Sequence, residues 1–220
     1  MDYGSPAQSL GPREFLVKKI IGGLVGVVVV VGLGVGLWFF LDSSAIAATV
    51  GKTKITESQV DGSIKQILAE RQTVSTTGMQ LASGDALSAQ QLNFYIISSL
   101  LEQTVAANNL TVTTAQLATR TASIVKQQGS AAKLKSGEVS AGIAFADFPS
   151  YVKEILYVEA LSSFVEKQGT AVANSGMAVQ GLVRAQAAKV GVTIKNNKKY
   201  GTWDPTHVTV IPPSTTTTTK

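Results

Sequence analysis

The sequence predicts a mainly α-helical domain behind a single-pass membrane anchor, closed by a small β-sheet drawn from both ends of the domain. Three observations carry this expectation. Residues 20–41 form an uncharged apolar run, five later segments place apolar residues at helical spacing, and two short β-prone stretches flank those segments. The expected organisation is a cytoplasmic tail over residues 1–19, the anchor over 20–41, a helical domain over 42–205 and a disordered Thr-rich tail over 206–220.

The run IIGGLVGVVVVVGLGVGLWFFL has 22 residues; as a helix it would span roughly 33 Å, about the thickness of the hydrocarbon layer. Trp38, Phe39 and Phe40 stand at its far end, where aromatic rings favour the interface, and Arg13, Lys18 and Lys19 precede it. This charge asymmetry predicts a cytoplasmic N-terminus and an exported C-terminal domain, with the lipid bilayer as a partner through residues 20–41. The competing reading is a cleaved signal peptide, because Ala45-Ile46-Ala47 fits a small-x-small site that would release the domain after Ala47. An h-region is ordinarily shorter than this run, which favours an uncleaved anchor. Gly22 and Gly26 permit close helix packing, but glycine is common in membrane helices and nothing in the pattern specifies an oligomeric state.

After the anchor, AATVGKTKIT reads as a small hairpin turning at Gly51-Lys52. Thr56-x-x-Gln59 is a capping-box pattern, and Val60, Ile64, Ile67 and Leu68 continue it as a first helix to about Arg71. Residues 73–87 are rich in Ser, Thr and Gly and predict a mobile loop. Ser88-x-x-Gln91 repeats the cap before a second helix, apolar on more than one side and therefore central. The Thr113-x-x-Gln116 box opens a third helix with a narrow stripe of Leu117, Ile124 and Val125, ending near Gly129, so it belongs at the periphery. A loose stretch is expected to Ala146. Asp147 and Pro149 open a fourth helix apolar on several sides, and residues 175–190 form a fifth that stops at Gly191. Val192-Thr193-Ile194 is then a strand, with the stretch around Thr49 and Val50 as its expected partner.

Composition narrows the chemistry. The absence of cysteine excludes a disulfide framework, thiol catalysis and a lipidated cysteine, and the single histidine, His207, leaves neither a Ser-His-Asp triad nor a histidine metal site. No metal or cofactor is expected, and the protein reads as a non-enzyme. The net charge of +5 is spread along the chain instead of forming a stripe, which argues against nucleic acid. Asp61, Glu70, Glu102, Glu154, Glu159 and Glu166 occupy helical positions where solvation or local pairing is the default; Glu102 and Glu159 lie in apolar helices that favour a structural ion pair.

Two segments resemble a known family. Residues 47–60, AATVGKTKITESQV, are similar to the opening pattern A-x-V-N-G-x-x-I-T-x-x-x-V of the SurA/PrsA-type chaperone domain. Residues 197–204, NKKYGTWD, resemble that family's terminal N-P-R-Y-G-x-W-D. Gly51-Lys52 replaces the usual Asn-Gly, and Lys198-Lys199 replaces Pro-Arg. The resemblance implies a bacterial cell membrane setting and a SurA N-terminal-like domain of five helices that holds unfolded or nascent exported polypeptides. Many members carry a parvulin-type prolyl isomerase domain before the last helix; here residues 169–174 leave no room for one.

The expected function is a membrane-anchored holdase without isomerase activity, and the alternative is an assembly subunit that uses the same fold for one dedicated envelope partner. Binding varied extended chains needs accessible, adaptable apolar surface. The candidate peptide-binding residues are Met79, Leu81, Phe94, Tyr95, Phe145, Phe148 and Met177, although helical spacing makes the core the default place for each aromatic. Met79 stands apart, in a loop with no periodic reason to bury it.

Overall fold

Ile46–Val50 (β1) has small and β-branched residues suited to a covered central strand, and it takes that place in a computed structural model describing residues 45–213. The anchor expected over 20–41, the tail before it and residues 214–220 lie outside the described residues. Among the described residues, no helix is long and apolar enough to cross a membrane. Strand β1 turns at Gly51 and Lys52 into Thr53–Thr56 (β2), and Val192–Ile194 (β3) pairs antiparallel on its other side. Ala48 faces Ile194 and Val50 faces Val192, which realises the expected closure between distant parts of the chain. A register shift between Ile46 and Ala48 lets the consecutive Ala47 and Ala48 both be fully buried.

Glu57–Arg71 (α1) starts at the expected capping box: Gln59 N–H donates to Thr56 Oγ1 at 3.2 Å and Thr56 N–H donates to Gln59 Oε1 at 2.9 Å. Gly84–Ala107 (α2) begins earlier than the sequence pattern suggested. Ser88 does not cap it; its hydroxyl donates back to the Gly84 carbonyl at 3.3 Å, inside the first turns. As expected from its many-sided apolar pattern, α2 is central, burying Leu92, Ile96, Leu100 and Leu101 among others.

Thr114–Gln128 (α3) has its predicted capping box at Thr113 and Gln116, stops at Gly129, and buries only Ile124, so it is the peripheral helix. The stretch expected to be loose is a helix, Ala131–Ala141 (α4), capped by Ser130, whose Oγ accepts from Lys133 N–H at 3.2 Å. Phe148–Lys167 (α5) and Val172–Val190 (α6) complete the main helices, and a single turn, Asn197–Tyr200 (α7), follows β3. The five expected helices are therefore joined by two more among the described residues.

Chain order past residue 205 also departs from expectation. Thr202–Asp204 (β4) pairs antiparallel with Thr209–Ile211 (β5), Val210 is buried, and its N–H donates to Asn93 Oδ1 on α2 at 2.9 Å. Residues 206–213 thus pack on the domain instead of starting a loose tail; Val208 and Val210 supply the apolar surface that the threonines beyond lack.

The main core is formed by α2, α5, α6 and the sheet. A second cluster gathers Phe94, Ile124, Leu134, Phe148, Tyr151 and Val152 where α2, α3, α4 and α5 meet, and Ile67, Leu87 and Ala144 form a third.

Candidate functional site

Helices α1 and α2 run antiparallel, and the irregular residues 72–83 that join them lean toward the end of α4. Between them opens a cleft of about 200 Å³ lined by Arg71, Gln80, Leu81, Ala82, Gln90, Ser140, Ala141 and Gly142. Its α4 wall is fixed from α2: Gln90 Nε2 donates to the Ala141 carbonyl at 3.1 Å, and Gln91 Nε2 donates to the Gly142 carbonyl at 2.8 Å. Gly142 has φ 65°, which favours glycine, and a Cβ there would come within 2.6 Å of Gln90 Nε2 and press that amide off the Ala141 carbonyl.

Behind the cleft, Ser63 Oγ donates to Asp147 Oδ2 at 2.6 Å and lies 3.0 Å from Gln91 Oε1, and Tyr95 OH donates to Asp147 Oδ1 at 2.9 Å. Burial pushes the Asp147 carboxyl and the Tyr95 phenol up, partly offset at Asp147 by these hydrogen bonds. Glu154 lies deeper still, hydrogen-bonded by the Ser98 hydroxyl, and burial raises it to about 8. The default of surface solvation or local pairing is thus corrected for Glu154: α5 is apolar on several sides, and Glu154 falls on a covered one while Lys153 and Glu159 stay partly exposed.

On the flank where α1 meets α4, Glu138 is 2% exposed, and burial followed by repulsion from Glu70 raises it to about 7. Glu70 Oε1 accepts the Phe145 N–H at 3.0 Å, while Glu70 Oε2 and Glu138 Oε1 are shielded without a hydrogen-bond partner. Arg71 differs from the paired cations. Its Nε and Nη2 are shielded from water with no hydrogen-bond partner, and burial lowers its pKa with no carboxylate opposing the shift. By contrast, Arg120 pairs with Glu159 at 2.7 Å and Lys153 with Glu102 at 2.7 Å, the ion pairs expected for those two glutamates.

Of the seven residues expected to bind peptide, Leu81 lines the cleft and is half-buried. Met79 is half-buried two residues before it. Phe145 is 45% exposed on the short 3-10 turn Phe145–Asp147, and Met177 is 68% exposed on α6. Phe94 and Phe148 are each 3% exposed inside the second core cluster, and Tyr95 is committed to Asp147 and packed edge-on to Phe94, so these three are structural. The structure does not bring the seven together. Residues that sequence reasoning missed are Arg71, Gln80, Gln90 and the Ser140-Ala141-Gly142 end of α4. Arg71 in a last helical turn reads as a dipole partner, and no periodic signal marks α4.

Among the described residues, no group of three or more His, Cys, Asp or Glu side chains could hold a metal ion. His207 is exposed on the β4–β5 turn and contacts Asp204 Oδ2 at 2.6 Å. The cleft therefore offers hydrogen bonding and a cationic wall but no nucleophile with a base beside it.

Among family models, the one for the SurA-like N-terminal domain matches residues 12–161. No curated protein and no solved structure matches the chain. The match spans well over half the sequence and covers the cleft-forming helices, so the chain belongs to the SurA-like N-terminal domain family, whose role is chaperone-like and concerned with protein folding.

Proposed function

We propose that this protein is a membrane-tethered, extracytoplasmic holdase for unfolded or nascent exported polypeptides, without prolyl isomerase activity. The observation that carries the reading is the cleft between Arg71, residues 80–82 and the end of α4 in a SurA-like domain. Amides, a hydroxyl and a guanidinium can engage the main chain of an extended segment, which every client shares. Exposed Leu68, Phe145 and Met177 add separate apolar footholds, none large enough to dominate. Weak, distributed contact suits a partner that must be released to fold.

Retention of the anchor is supported by β1. Ala47 is fully buried, its carbonyl accepts the Lys195 N–H at 2.8 Å, and the Ala45 carbonyl accepts the Glu57 N–H at 2.7 Å. Cleavage after Ala47 would remove these groups from the central strand. The missing isomerase is supported by the connection between α5 and α6, only residues 168–171.

Light scattering of an unfolded exported client provides the test. Stoichiometric protein is expected to suppress aggregation, and an unchanged time course would sink the holdase reading.

A further inference from the structure

Arg71 is a cation half withdrawn from water without an anion to meet it. Its Nε and Nη2 form the edge that grips a carboxylate in two parallel hydrogen bonds, and both are shielded without a hydrogen-bond partner. Leaving such groups unpaired is unfavourable, and a guanidinium cannot escape by losing its proton. The nearby acids do not relieve it. Glu70 is turned to the Phe145 N–H, Glu138 faces Glu70, and no ion pair joins either to Arg71 among the described residues.

The cleft beside this side chain is smaller than the roughly 300–1,000 Å³ pockets that enclose a small molecule. At about 200 Å³ it fits one end or one side chain of a polypeptide. Its remaining walls are neutral and polar at Gln80, Gln90 and Ser140, so a ligand anion meets no carboxylate among the lining residues. The α4 wall is held in place by Gln90 and Gln91, while the opposite wall belongs to the irregular residues 72–83. A rotation of the guanidinium about its stem would turn its open edge into this space.

We propose that Arg71 makes the cleft a receptor for a carboxylate carried by the bound polypeptide, either the C-terminal carboxylate or an acidic side chain. The inference rests on the holdase reading and refines it: most of the client is held loosely through shared main-chain chemistry, and one anionic group gives it a register. Arg71 supplies the paired N–H donors, and Ser140 offers a hydroxyl from the facing wall.

The test uses the full chain in detergent micelles and a short dansylated peptide of Ala, Ser, Gly and Phe in four forms. These are the free C-terminal acid, the C-terminal amide, an amide with one internal Glu and an amide with Gln in its place. Wild type is expected to bind the acid, the Glu form, or both about tenfold more tightly than their neutral counterparts. R71Q should remove that preference, weakening the acid and Glu forms about tenfold more than it weakens the neutral ones. S140D, which places the chain's own carboxylate in the cleft, should remove it independently. Preference for the free acid assigns the chain terminus, and preference for the Glu form assigns an acidic side chain. Equal binding of all four forms by wild type, or equal weakening of all four by R71Q, overturns the carboxylate receptor and leaves the holdase standing. Failure of every form to bind, together with unchanged client aggregation, overturns both.

Discussion

Burial of Glu154 against Ser98, with no cation beside it, ties the stability of the domain to pH. Burial holds its folded pKa at about 8, well above the ordinary 4.5. Its contribution is therefore fully present below about pH 4.5 and is lost as pH rises through about 8, because the unfolded chain ionises first. Glu138, raised to about 7, and Asp147, also raised, act in the same direction. Glu102 has the opposite sign. Its hydrogen bond from Lys153 lowers its pKa, so its contribution is lost only as pH falls below 4.5. The domain is expected to be more stable near pH 5 than near pH 8, by on the order of a few kcal/mol. E154Q, which removes the ionisation while keeping the shape, should flatten that slope. Urea unfolding at the two pH values measures both, and a wild type more stable at the higher pH would contradict the assignment.

Two of the Ser/Thr-x-x-Gln patterns in this chain, at Thr113 and Ser88, look alike and behave differently, which shows what local sequence can settle about an element. At Thr113 the pattern is a working cap, with Gln116 N–H donating to Thr113 Oγ1 at 3.2 Å and Thr113 N–H to Gln116 Oε1 at 2.8 Å. At Ser88 the same spacing lies inside α2, and Gln91 is spent on Ser63 and Gly142. T113A should lower stability by about 1 kcal/mol, and S88A should change it by less than about 0.5 kcal/mol. Chemical denaturation of both variants decides this, and equal losses would count against the assigned start of α2. Helices α1, α2, α3, α5 and α6 were legible because each carries a cap, a stop or a broad apolar face. Helix α4 was not: Leu134 and Val139 are five residues apart, and its cap, Ser130, lacks a Gln or Glu at the third position. The cleft was legible only at Leu81. Its other walls come from three elements meeting through Gln90, Gln91 and the Gly142 turn, a juxtaposition that no single segment encodes.

At the scale of the whole molecule, the domain is closed by residues that the family match does not include. The match ends at 161, within α5, yet α6 contributes Val179, Val183 and Ala187 to the main core, and β3 completes the sheet around β1. The final segment is tied back to the start of α1. Lys199 Nζ meets Asp61 Oδ2 at 2.7 Å and Glu57 Oε2 at 3.1 Å, and Tyr200, fully buried, donates its hydroxyl to Asp61 Oδ1 at 3.3 Å. Gly201, at φ 94°, lets β5 pass so close that a Cβ would overlap the Ile211 carbonyl oxygen. This gives a physical meaning to the terminal Tyr-Gly-x-Trp-Asp pattern: the tyrosine fills the core, the glycine admits the last strand, and Trp203 packs on the cluster beside it. A chain shortened after Lys167 would keep α1 to α5 but expose the apolar faces of α2, α5 and β1 at once. It is expected to lose cooperative unfolding altogether, whereas a chain ending after Pro213 should melt like the full-length protein. Circular dichroism melts of the two shortened chains in the same detergent test this, and a sharp transition in the shorter one would show that the matched helices fold without their closing strands.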